Sequence, residues 1–147
     1  MTPIEELLER DAIKNVRIMY SHYFDMGDLD NLASLFCEDA ICEFGPEYGG
    51  DWVGQEAIKE GYSAYMGEPF TGAMHANTNP WIELTGEDTA KGRWYLLDLS
   101  LSDSNQTAMT GLLGIYDDVY RKINGKWLIE RTRIDFVWPR REYYGPR

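Results

Sequence analysis

The sequence predicts an α+β domain in which three helices from the N-terminal half pack on a curved, mainly antiparallel sheet. Three observations carry that prediction. Apolar residues recur at steps of three and four in the first part of the chain, they alternate at every second position from Ala73 onward, and the turns between the alternating runs are short. The 147 residues are expected to form a single domain, 1–147, since no internal repeat, linker or low-complexity segment interrupts them.

Each element has its own signal. Thr2-Pro3-Ile4-Glu5 supplies an N-cap, a proline at the first helical position and a capping-box glutamate, so a helix starts at once and runs to about Phe24. Its apolar stripe is Ile13, Val16, Tyr20 and Phe24, widened by Ala12, Met19 and Tyr23. Gly27 stops this helix and Asp28 caps a second, shorter one through Phe36, with Leu29, Leu32, Leu35 and Phe36 buried. Ala40–Phe44 reads as a short strand ended by the turn-rich GPEYGGD. After Gly54, Ala57, Ile58, Tyr62 and Tyr65 mark a third helix, in which Gly61 costs ~1 kcal/mol relative to alanine. Four long strands follow, near 73–85, 89–102, 107–122 and 126–138. They are separated by Gly86-Glu87-Asp88, by Asp103-Ser104-Asn105-Gln106 and by Asn124-Gly125, a strong hairpin signal.

The strand KGRWYLLDLSLS is apolar on both faces. Arg93, Tyr95, Leu97, Leu99 and Leu101 share one side, and Trp94, Leu96 and Asp98 share the other. A sheet with solvent behind it alternates more cleanly. The second apolar face therefore needs a cover, which predicts a homo-oligomer, dimer or trimer.

Composition narrows the function. With 25 acidic against 14 basic residues the formal charge is −11, a field that repels phosphate backbones and anionic membranes, so neither nucleic acid nor membrane is an expected partner. Cys37 and Cys42 are too few for a disulfide scaffold and read as buried or half-buried thiols. There is no apolar run of transmembrane length, and the opening MTPIEELLER is too charged to read as a signal peptide, so a reducing, cytoplasmic setting is expected. Two histidines without HExxH, CxxC or an EF-hand pattern argue against a metal centre. With no GxSxG and no Gly-rich phosphate loop either, the enzymatic reading turns toward cofactor-free proton transfer. The aromatic share of 14% supplies side chains that line pockets with an apolar body and a polar tip.

Two ionisable residues stand out. Asp25 lies at the end of the first helix, on the flank of its stripe, where the helix dipole and apolar neighbours give a setting suited to proton chemistry. Its other reading is a cap or turn shared with Asp28 and Asp30. His75 lies on the first long strand, where parity groups it with Asn77, Asn79 and Trp81 against Met74, Ala76, Ile82 and Leu84. Pro80 implies an edge or a bulge, which would reset that parity. If the sheet brings His75 to Asp25, the carboxylate orients the imidazole for acid–base work near neutral pH; otherwise His75 is structural. Tyr20 is ~140° from Asp25 around an ideal helix, so a shared pocket requires Asp25 to sit in a loosened last turn. There Tyr20 would donate to a developing oxyanion, and elsewhere it fills the core. His22 points to a different, exposed side. Tyr116 and Tyr120 share a strand face with Asp118 and either line a cavity or fill the sheet. The tail VWPRREYYGPR offers a pocket lid or an oligomer contact.

These pieces, namely DAIKNVRIMYSHYFDMGDLDNLASLFCEDA, His75 with Asn79, TAKGRWYLLDLSL and YDDVYRKINGKWLIER, resemble the SnoaL-like group of the nuclear transport factor 2-like superfamily over nearly the whole chain. The pattern is most similar to bile acid 7α-dehydratase, with hexachlorocyclohexane dehydrochlorinase and scytalone dehydratase as relatives. The resemblance implies a cone-shaped α+β barrel around a hydrophobic cavity. It also implies a lyase or isomerase acting without metal or cofactor on a hydrophobic polycyclic or alicyclic molecule, with His75 as base, Asp25 as its partner and Tyr20 as donor. Phe24, Asn79, Trp94, Tyr116 and Thr132 would then contact substrate. Thr78 stands where the bile-acid enzyme has a second histidine, Thr132 near where the dehydrochlorinase has a basic residue, and Phe24 where scytalone dehydratase has a tyrosine. Two alternatives stay open: a non-catalytic binding module, and a small subunit like those of ring-hydroxylating dioxygenases. Limonene-type epoxide hydrolysis is disfavoured, since no Asp–Arg–Asp trio can be placed.

Overall fold

A computed structural model describes residues 1–66, 73–101 and 109–138. Helix α1 spans Pro3–Met26. Thr2 and Glu5 form the capping box, the Thr2 N–H donating to the Glu5 carboxylate at 2.6 Å and the Glu5 N–H to Thr2 Oγ1 at 3.2 Å. Gly27 ends the helix in the left-handed region, φ 71°, which a residue without Cβ adopts at little cost. The helix runs two residues past the expected end, so Asp25 stands in its last turn.

Helix α2 is only Leu29–Ala33, capped by Asp28 through the N–H of Asn31. Leu35 and Phe36 are not helical as expected, because the chain turns there to pair with a distant strand: β1 begins at Phe36 and runs to Glu43, and Leu35 C=O accepts from Ile129 N–H. The GPEYGGD turn contains two short elements, a 3₁₀ turn at Pro46–Tyr48 and strand β2 at Asp51–Val53, which pairs antiparallel with β1. Helix α3 is Gln55–Tyr65. Gly61 has a packing reason: a Cβ there would lie 2.4 Å from Trp52 Cδ2, so its helix cost is met by close approach of the indole.

The four long strands are β3 Ala73–Leu84, β4 Thr89–Leu101, β5 Met109–Ile123 and β6 Lys126–Trp138. They form an antiparallel meander, and Asn124 and Gly125 turn the last hairpin at φ 51° and 78°. The expected polar turn at Asp103–Gln106 and the tail from Pro139 to Arg147 lie outside the described residues. The six strands make one sheet in the order β2-β1-β6-β5-β4-β3, with β1 and β6 parallel. The helices pack on this curved sheet, which is open and leaves β2 and β3 as edges. No described helix is long and apolar enough to cross a membrane.

Strand β3 carries a bulge. Thr78 pairs with Tyr95 but Trp81 pairs with Arg93, so three steps on β3 oppose two on β4, and Asn79 takes φ 52° within the extra residue. The bulge resets the side-chain alternation. His75 shares the inner face with its register partner Asp98, and Asn77 opposes Leu96. Trp81, grouped with them by simple parity, is turned outward and is 57% exposed, while Ile82 is buried. Pro80 is accommodated because β3 is an edge strand.

The core lies between the inner face and the helices, built on Ile13, Tyr20, Leu32, Ile58, Trp94 and Ile129. Cys37 and Cys42 are both buried free thiols. Across the sheet, Met74, Tyr95, Leu97, Leu99, Leu113 and Trp138 stand exposed on or beside the outer face.

Candidate active site

Between α1, α3 and the inner face of the sheet lies a cavity of about 320 Å³, lined mainly by aromatic rings. Tyr20 and Phe24 enter it from α1, Tyr62 from α3, His75 from β3, Asp98 from β4 and Tyr116 from β5.

His75 and Asp98 share one wall, and Asp25 holds His75 from outside the lining. Asp25 Oδ1 lies 2.6 Å from His75 Nδ1, and its Oδ2 accepts the His75 backbone N–H at 3.0 Å. A carboxylate can only accept, so Nδ1 carries the proton and Nε2 of a neutral ring is left with its lone pair. That nitrogen faces Asp98 Oδ2 at 3.4 Å, a second carboxylate that can only accept, so this contact is a hydrogen bond of the protonated ring. Phe24 covers the ring, 4.3 Å between centroids. Burial opposes protonation of the imidazole, but Asp98 and Asp25 more than offset it, so His75 is held above its ordinary 6.5.

The opposite wall is phenolic. Tyr62 donates its hydroxyl to Tyr20 Oη at 3.0 Å, and the Tyr116 hydroxyl lies 3.4 Å from the same oxygen. Burial raises all three phenols, so they remain neutral donors across the working pH range. Behind them sits a fully buried ion pair. Arg17 Nε and Nη2 donate to the two oxygens of Asp118 at 3.0 and 2.5 Å, and Nη2 also reaches Thr132 Oγ1 at 2.7 Å. Tyr120 donates to Asp118 Oδ2 at 2.6 Å and accepts from Trp94 Nε1 at 3.1 Å.

The structure thus brings His75, Tyr20, Phe24 and Tyr116 to one cavity, with Asp25 bonded to His75 from outside its lining, and it places three other candidates elsewhere. Trp94 and Thr132 are buried in the network around Asp118 and do not line the cavity, their polar atoms being occupied there. Asn79 is exposed on the bulge, where it accepts from the Thr78 hydroxyl at 2.8 Å. His22 is exposed on α1, as expected. Sequence reasoning passed over one residue that lines the cavity, Asp98, and one that lies directly behind it, Arg17. Asp98 had a signal, a lone carboxylate sharing a strand face with Trp94 and Leu96. Arg17 had a weaker one, a cation three residues before Tyr20 on an otherwise apolar flank.

Residues 5–133 match the sequence profile of the SnoaL-like domain. The chain belongs to that family. Over its whole length this SnoaL-like domain is similar to a candidate scytalone dehydratase from Novosphingobium aromaticivorans, at 27% identity and a TM-score of 0.82 over 99% of this chain and 94% of that one. A type 2 hexachlorocyclohexane dehydrochlorinase shares the fold at 17% identity, TM-score 0.79, covering 99% and 98% of the two chains. The association domain of Caenorhabditis elegans CaMKII shares it at 21% identity, TM-score 0.74, covering 90% and 98%. The same fold is found in an NTF2-like protein with a cystatin-like fold from Novosphingobium aromaticivorans, at 18% identity and a TM-score of 0.78 over 93% of this chain and 87% of that one.

Proposed function

We propose that the protein is a cofactor-independent lyase or isomerase of the elimination or proton-transfer type, acting on a hydrophobic polycyclic or alicyclic small molecule. The observation that carries this reading is the imidazole of His75 held by Asp25 on the wall of an aromatic cavity, with its second nitrogen turned toward Asp98. The names of two similar proteins, a candidate dehydratase and a dehydrochlorinase, support the reaction class.

In this mechanism neutral His75 takes a proton from a substrate carbon through Nε2. The electron pair of the broken C–H bond becomes a new double bond as the leaving group departs with its own pair, or an enolate where nothing departs. Asp25 holds the ring in the required tautomer, and Asp25 with Asp98 stabilises the imidazolium that forms. Tyr20, backed by Tyr62 and Tyr116, donates to the substrate oxygen that gains charge.

The test is a screen of alicyclic compounds bearing an acidic C–H and a β leaving group, followed by NMR for loss of water or halide and for exchange of the C–H in D₂O. The pH dependence is fixed in sign. With its pKa raised above 6.5, His75 is imidazolium at low pH, so kcat/KM should rise with pH through the folded-state value and level off above it. The same contacts stabilise the fold fully below 6.5 and are lost as pH rises through the raised value. An NMR titration placing His75 below 6.5, or a rate that falls over this window, would contradict the assignment.

We also propose that the domain works as a homo-oligomer, dimer or trimer. Met74, Tyr95, Leu97, Leu99, Leu113 and Trp138 are each 36–71% exposed, more apolar surface than a soluble monomer ordinarily leaves in one region. A standard interface covers roughly 800 Å² per partner, which is what a second copy would have to bury here. Sedimentation velocity at micromolar concentration should show the dimer or trimer, and a single monomeric species would overturn the proposal.

A further inference from the structure

We infer that Arg17 is a positioning residue for this reaction: Asp118 clamps its guanidinium against the faces of Tyr20 and Tyr116, and from there its charge strengthens those phenols as donors to a substrate oxygen. The inference rests on the reading of the cavity given above. Arg17 does not line the cavity. Its Cζ lies 3.9 Å from the centroid of Tyr116 and 4.5 Å from that of Tyr20, both within cation–π range.

The arrangement has a direction. Asp118 takes three donors, two from Arg17 and one from Tyr120, and although its charge opposes that of Arg17 at Tyr116, the guanidinium is the stronger influence there. Arg17 Nη1 has no hydrogen-bond acceptor among the described residues. The ion pair is therefore a buried dipole whose positive end lies under the two rings, in a medium where charges are screened far less than in water. Burial pushes the Tyr20 phenol above 10.0, and the Arg17 charge pulls it back, followed by the hydrogen bonds to Tyr116 and Tyr62. A simple core would have used apolar residues here, since exchanging a buried ion pair for them is often neutral or stabilising. Retaining the pair makes sense if the charge is used.

The probe is 2-naphthol, whose absorbance separates its neutral and ionised forms. Bound to the wild-type protein, its oxygen should sit against Tyr20 and ionise at lower pH than in the variant R17M/D118N, by about one pH unit, a tenfold change in ionisation constant. Asn at 118 keeps an acceptor for Tyr120, so the variant is expected to fold. The charge-conserving R17K should return the ionisation of the bound naphthol toward the wild-type pH. If R17M/D118N leaves that pH unchanged while Tyr20→Phe moves it, Arg17 serves structure alone and the inference falls while the cavity reading stands. If Tyr20→Phe also leaves it unchanged, or the wild-type protein does not bind naphthol at millimolar concentration, the donor role of Tyr20 falls, and this inference with it.

Discussion

His75→Ala should lower turnover by roughly 10²–10⁴-fold, the usual contribution of a positioned general base. The fold should survive the change. His75 sits on an edge strand, and the second Asp25 oxygen holds the backbone N–H of residue 75 whichever side chain stands there. Asp25→Asn should approach the same loss by a different route. The amide can present its NH₂ to Nδ1 and favour the opposite tautomer, moving the lone pair away from the cavity. Both are read from kcat and kcat/KM on protein whose melting temperature is measured in parallel. A folded His75→Ala protein with wild-type turnover would remove the base from the mechanism. Unchanged ligand affinity in such a protein would then favour the binding module.

The largest stability effect is expected away from the cavity wall. Arg17→Ala leaves Asp118 as a carboxylate with 0% side-chain exposure and no cation beside it, and breaking a buried pair from one side costs about 3–5 kcal/mol. Removing both charges together as R17M/D118N should cost much less, because no unpaired charge remains. Urea midpoints at constant slope measure the difference. A single-variant cost within about 1 kcal/mol of wild type would mean that water enters and solvates the carboxylate.

Most of the architecture was legible because its signals are local. The capping box, Gly27, the Asn124-Gly125 hairpin and the period-two runs each act over a few residues, and they marked α1, α3 and the four long strands to within a few residues. What was hidden depended on distant pairing. Leu35 and Phe36 fit an apolar helical stripe, yet they enter the sheet because β6, more than 90 residues later, offers a parallel partner. The acid–histidine contact between residues 25 and 75 could be posed from sequence as a question but not answered, because it depends on where the edge strand meets the end of α1.

Asp98 shows the difficulty most clearly. From the β3–β4 turn, where Leu84 pairs with Ala90, an unbroken ladder would set His75 opposite Leu99, and only the bulge moves its partner to Asp98. Trp94 and Thr132 were chosen for a cavity they do not reach. Face alternation says which way a side chain points but not whether α1 or the ligand meets it, and both are buried in the network that Arg17 and Tyr120 build on Asp118. Arg17 itself lacked a visible partner, since Asp118 lies 101 residues away.

The odd residue in β3 acts as a parity bit for everything upstream of it. Straightening the strand there without shortening it would set the imidazole opposite Leu99, present Met74 and Ala76 to the hollow and send the ring to the far side of the sheet, without altering any group that meets a ligand. Removing the extra residue as well would restore the pairing with Asp98 and return the imidazole to its side. In related chains, then, whether an aligned histidine can act is decided by the count between it and the following turn taken together with whether the strand bulges between them.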